Sequence, residues 1–276
     1  MSAIDDVVSG TVKLPMVPRV VMTVLAMIRQ GDCDVWKVAE EIEQEPVLSS
    51  RVLRLANSSF FSGRRSVGSI EEAVSIIGLR ALETLVIASG TISAFTDVPG
   101  VSLRQFWLCA SVTAASSRQL ARRLGVPAES AYTAGLLQSV GHLILCQCEP
   151  ARAEALAGAS ARHWGAELAA AEQEAFGCTH PAMSALWADH MGLPRDMVDA
   201  IARSLHPMDA PATTRLARVL RLATAVGGSV AFGEDIECAA ARVAHNLAGT
   251  LDLGDYFATE SFQNDFFELQ SVPSVL

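Results

Sequence analysis

Positive charge is scarce in this chain. Thirty Asp and Glu stand against 21 Lys and Arg, for a formal net charge of −9 over 276 residues. Gripping nucleic acid requires a basic face that neutralises phosphates, so a general nucleic-acid binder is not expected. The same acidity opposes adhesion to an anionic membrane surface. Long apolar runs are also missing. The greasiest stretch, Ala73 to Phe95, is broken by Arg80 and Glu83 and carries several Ser, Thr and Gly. A membrane span wants about 20 largely uninterrupted apolar residues, so this stretch reads as a buried helix or helix pair. No basic segment followed by an apolar run stands near Met1, and no signal peptide is expected. The expectation is therefore a cytoplasmic protein whose six cysteines stay reduced. Strict apolar–polar alternation, the mark of a half-buried strand, never persists beyond a few residues.

What is abundant is apolar material at helical spacing. Half of the residues are hydrophobic and 18% are charged, enough for a large core and unlike a disordered chain. Val20, Val24, Leu25 and Ile28 form one stripe after Pro15 and Pro18, and Gly31 ends it. Asp34 caps a helix whose inner face is Val35, Val38, Ala39 and Ile42. Pro46 starts another, with Val47, Leu48, Val52, Leu53 and Leu55 inward. Ser69 and Glu72 have capping-box spacing before Ala73 to Ile77. Gly78 breaks that helix, and one more runs from Arg80 to about Phe95. Thr96 to Gly100 punctuates the chain and is read as a lobe boundary. Beyond it, helices are expected at Leu103 to Leu124, at Ala131 to Cys148 as a single element, and at about 151–162, 164–176, 179–191 and 195–204. Thr213 to Val226 reads as the last strong helix, stopped at Gly227-Gly228, with a weaker one at 234–248. The acidic tail carries Tyr256, Phe257, Phe262, Phe266 and Phe267, too aromatic for simple disorder. It either docks on its own lobe or binds another protein.

Leu14 to Pro18, Glu45 to Leu48, Arg51 to Ser58, Ser69 to Ala73, Ile77 to Arg80, Phe106-Trp107, Ala134 to Leu137 and Val140-Gly141 resemble the HDOD family in order and spacing. The resemblance covers roughly residues 10 to 230 and rests on several separate motifs. It implies an all-α fold: a helical N-terminal lobe (10–98) packed on an HD-like helical bundle (99–230), with 231–276 as a C-terminal helical extension or tail. It implies a bacterial protein of signal transduction or regulation, related to HD-type metal phosphohydrolases whose metal ligands have degenerated in this family.

HD enzymes hold metal with His and Asp on facing helices, and the metal activates a water that attacks phosphorus. By the resemblance, Cys109 stands where a His is expected after Phe106-Trp107. Gln138 and Ser139 replace the His-Asp pair. His180 matches a ligand His. Arg203 falls where a further His run is expected, with His206 just beyond. Gln and Ser bring no charge to compensate a dication, and Arg203 brings a permanent positive one. The expectation is no catalytic site, no metal and no cofactor, and a function through other signalling proteins in trans, with a homo-oligomer also open. Two alternatives stand beside it: a residual metal-dependent phosphohydrolase or phosphodiesterase, and a sensor binding a small anion or nucleotide among Cys109, Gln138, Ser139, His180, Arg203 and His206.

Other constellations are weaker. Cys146-Gln147-Cys148 and Cys178-Thr179-His180 carry zinc-binding groups, but residues two apart on a helix face different ways. Cys109 lacks an orienting group that would make it a nucleophile. Leu120 to Leu137 mimics a helix-turn-helix, yet its second helix is apolar where base contact needs polar side chains. Phe60, Phe61, Arg64 and Arg65 have the composition of a partner patch, or form a solvated loop.

Overall fold

The computed structural model describes residues 3–8, 14–30, 33–57, 66–160, 165–206, 214–247, 256, 259–270 and 272, and among these every regular element of more than a turn is an α-helix. In chain order they are α1 (Ala3–Val8), α2 (Arg19–Arg29), α3 (Val35–Glu43), α4 (Pro46–Ala56), α5 (Ile70–Ile77), α6 (Leu79–Ala94), α7 (Leu103–Leu124), α8 (Ala128–Leu137), α9 (Val140–Cys148), α10 (Pro150–Ser160), α11 (Ala166–Phe176), α12 (His180–His190), α13 (Arg195–Ala202), α14 (Arg215–Ala231), α15 (Ile236–Leu247) and α16 (Glu260–Gln270). The chain forms two compact units. One comprises Pro15–Thr96 with Val275–Leu276, the other Met1–Leu14 with Asp97–Ser274. No helix among the described residues is long and apolar enough to cross a membrane.

The smaller unit is built from α2 to α6. Its helix starts follow the sequence closely. Asp34 accepts the Trp36 N–H at 3.1 Å, and Ser69 accepts that of Glu72 at 3.1 Å. Glu72 reaches back one residue further than in the standard box, to the Gly68 N–H at 2.7 Å. On α2 the inward residue is Val21 rather than Val20, because Gly90 of α6 crosses there: a Cβ on Gly90 would lie 2.8 Å from Val21. Val47 is 54% exposed instead of inward, since the first turn of α4 points away from the core that Leu48, Val52 and Leu55 enter.

The larger unit is organised around α7. Phe106 and Trp107 anchor it, and Ala110, Ser111, Thr113, Ala114, Ala115, Ser117 and Ala121 are buried along its length. Small side chains let neighbouring backbones approach, and the partners answer with glycine. A Cβ on Gly135 of α8 would collide with Ser117 and lie 3.0 Å from the Ala114 Cα. A Cβ on Gly227 of α14 would collide with the Thr113 hydroxyl and lie 2.9 Å from the Thr113 backbone. Gly227 therefore does not stop α14, as its residue type suggested. The helix continues to Ala231, and the glycine is the crossing point with α7.

A second departure from expectation is the break inside 131–148. The chain turns at Gln138 and Ser139, separating α8 from α9. Ser184 of α12 occupies the break: its hydroxyl donates to the Gln138 carbonyl at 2.8 Å and accepts the Gly141 N–H at 2.7 Å. The two helix ends are thus satisfied by another helix's side chain rather than by each other. Part of the tail, too, falls within the described residues. Helix α16 packs on α7 and α14 within the same unit and buries Phe262, Phe266 and Leu269. Phe257 lies outside the described residues, as do Phe60, Phe61, Arg64 and Arg65.

Two adjacent glycines of α14 provide a controlled test. Gly227→Ala is expected to destabilise the fold by about 1–3 kcal/mol through overpacking against Thr113. Gly228→Ala, where nothing lies within 4 Å of the new Cβ, is expected to be neutral or to stabilise by up to about 1 kcal/mol through helix propensity. Denaturant titration of the two variants checks the opposite signs.

Candidate functional site

Helix α11 buries Leu168, Ala169, Glu172 and Phe176 on one stripe. Glu172 is therefore a carboxylate at a core position, fully buried, and it needs partners to be tolerated there. Three are supplied. His142 Nδ1 lies 2.7 Å from Oε1. His180 Nδ1 lies 2.7 Å from Oε2, and the His180 backbone N–H donates to the same oxygen at 2.6 Å. His180 is the first residue of α12, so its N–H is one of the helix's unpaired N-terminal donors, and the carboxylate also meets the positive end of the helix dipole.

Both imidazoles must carry a proton on Nδ1 to reach this acceptor-only carboxylate. The other nitrogen of His142 is 3.6 Å from Cys146 Sγ, one turn further along α9. Burial alone would raise the Glu172 pKa. The charge of His180, hydrogen bonds from both imidazoles and the charge of His142 together outweigh it and bring it from 4.5 down to about 2. Cys146, His142 and Glu172 stand in the order of a thiol–imidazole–carboxylate relay. The thiol, however, is buried and pushed up to about 12 by that burial, with the Glu172 and Cys148 charges acting in the same direction. It stays protonated and is no nucleophile at neutral pH.

Around this core lie the residues singled out from the sequence. His180 enters the cluster directly. Gln138 is buried at the α8–α9 break, and its side-chain amide donates to Thr224 Oγ1 of α14 at 2.8 Å, while Thr224 donates to the Leu220 carbonyl at 2.7 Å. Ser139 is buried beside it and begins α9. Cys109 is buried in α7 and bonded to Thr113; burial pushes its thiol up to about 12. Arg203 and His206 are exposed, at the C-terminal end of α13 and just past it, so the cluster holds no guanidinium. Cys146 and Cys148 do diverge, the first buried and the second half-buried.

The site approaches its neighbours through backbone. Gly141 follows the break, and a Cβ there would collide with the His180 carbonyl and lie 2.6 Å from the Ser184 N. Helices α9 and α12 are thus in close backbone contact beside the cluster. The donor set does not fit a divalent cation. Gln138 and Ser139 bring no charge, and among the described residues no three His, Cys, Asp or Glu groups gather as a metal site. Residues His142, Glu172, Ser184 and Thr224 were not singled out from the sequence. The available signal was polarity at a buried register: Glu172 lies four residues from both Leu168 and Phe176, and His142 sits inside the apolar run Val140 to Leu145.

Fold and site define an all-helical domain of the HD-like kind. The chain belongs to the HDOD domain family, which matches residues 14–207. A crystal structure from Shewanella amazonensis, of a protein provisionally named a phosphohydrolase, is similar at TM-score 0.79 and 30% identity, over 99% of both chains. An HDOD domain protein of unknown function from Geobacter sulfurreducens is similar at TM-score 0.73 and 21% identity, over 99% of this chain and 96% of that one. A curated protein of Treponema pallidum is 27% identical over 141 residues, covering 50% of this chain and 27% of the relative.

The pKa of Glu172 makes the cluster testable. A carboxyl whose folded pKa is depressed contributes stability that is present above the unfolded value and lost as pH falls through the folded one. Wild-type stability is therefore expected to decline from about pH 4.5 toward about pH 2 on account of this group. Glu172→Gln is expected to cost about 3 kcal/mol at pH 7. The difference from wild type should shrink across that acidic window, as read by urea titrations at a series of pH values.

Proposed function

We propose that this chain is a non-enzymatic signal-transduction module, a regulatory HDOD domain that acts by contact with other proteins in trans. One observation carries the reading: at two of the positions where the resemblance places HD ligands, 138 and 180, the buried polar groups are already paired with residues of neighbouring helices. Gln138 is paired with Thr224, its carbonyl with Ser184, and His180 with Glu172. Each of these groups already has the hydrogen-bond partner that a buried polar group requires, so none needs a ligand. What remains is a rigid helical scaffold with an acidic surface, suited to presenting faces to partners. The signalling association implied by the family resemblance points the same way.

A second reading is a residual metal-dependent phosphohydrolase. It is favoured by the way Glu172 holds His180: metal-binding imidazoles also turn one nitrogen to a carboxylate, and the similar Shewanella protein is provisionally named a phosphohydrolase. Metal analysis of the purified protein, with a phosphodiesterase assay in added manganese or iron, separates the two. The regulatory reading expects no stoichiometric metal and no turnover. Metal-dependent turnover that disappears in His180→Ala would overturn it.

A further inference from the structure

Helix α16 lies beyond the segment that matches the family, and its packing is peripheral, against α7 and α14. Phe262, Phe266 and Leu269 form a single stripe at i, i+4 and i+7 and are all buried. The flank of the stripe is polar and specific. Asp265 Oδ2 accepts from Arg123 Nε at 3.1 Å and Nη2 at 2.8 Å, and from the Tyr256 hydroxyl at 2.5 Å. The Arg123 guanidinium also sits 4.5 Å from the centre of the Tyr256 ring. Gln119 Nε2 donates to Glu268 at 3.3 Å. On the opposite face, Phe267 is 60% exposed.

We propose that α16 is a reversible strap: it undocks as a unit while the rest of its domain stays folded, and it bares a groove on α7 and α14 built to hold an acidic amphipathic helix with aromatics four residues apart. The balance of forces supports this. Three stripe side chains hold a helix of eleven residues, and the apolar gain from so few anchors is of the same order as the entropy of ordering that much chain. The charged part of the hold is the Arg123–Asp265 pair, beside the Tyr256–Asp265 and Gln119–Glu268 hydrogen bonds. The Arg123 side chain is 38% exposed, so water and salt compete for it. The occupant of the groove is α16 itself, and its sequence, Glu260 to Gln270, describes the chemistry of any helix that would replace it. This inference stands whether or not the chain has catalytic activity.

Hydrogen exchange on the full chain, followed by mass spectrometry, tests undocking. Amides of α16 are expected to exchange by local opening, far faster than those of the α7 core. Asp265→Arg is expected to speed α16 exchange about tenfold, the weight of one charge-assisted pair, and to leave α7 unchanged. The charge swap Arg123→Glu with Asp265→Arg is expected to restore protection. Equal protection of α16 and α7 in the wild type, or a common loss in both helices on Asp265→Arg, would overturn the strap. The groove is tested with a labelled peptide spanning 256–272. It should bind the Asp265→Arg chain, whose Arg123 is free to receive it, about tenfold more tightly than wild type. No binding to either chain would refute the groove.

Discussion

A carboxylate in the interior of a protein is costly unless every lone pair that matters is occupied. Glu172 meets that condition by drawing on three helices at once: its own α11, His142 from α9, and both the side chain and the backbone N–H of His180 at the start of α12. Much of the larger unit's detail follows from this constraint. Because His180 must face Glu172 through both its ring and its amide, α12 has to begin at that residue. Because His142 must reach the same carboxylate, α9 is pressed onto α12, and the contact is so close that only Gly141 fits. Satisfaction of one buried charge is therefore tied to the start of α12 and to the close approach of α9.

The cluster is one part of a wider set of buried polar pairings in the larger unit. Here Gln138 is bonded to Thr224, Ser184 bridges the helix break, and Cys109 is bonded to Thr113. These side chains pair as buried polar groups in a core do.

The fold was largely legible in the sequence, because its signals are local. Asp34, Ser69 and Pro46 mark helix starts through their own backbones' needs, and Gly125 ends α7 with a left-handed residue. What was not legible depends on partners distant in sequence. Gly227 looks like a helix terminator until Thr113 of α7 is found against it. The run from Ala131 to Cys148 is periodic throughout, and nothing within it announces the turn at Gln138, which is stabilised from α12. Half of the candidate site was missed for the same reason. His180 was visible as a motif residue, whereas Glu172 and His142 belong to no motif and reveal themselves only as polar residues on buried faces.

The joint at Gln138–Ser139 has one more implication. Its two ends are held by the Ser184 hydroxyl, so the bend is not a property of the segment that bends. Taken alone, residues 128–148 have the periodicity of one straight rod. The elbow is held from outside by the Ser184 hydroxyl, 46 positions from Gln138 and 43 from Gly141. Removing that oxygen, as in Ser184→Ala, would leave the Gly141 N–H without its partner at the joint.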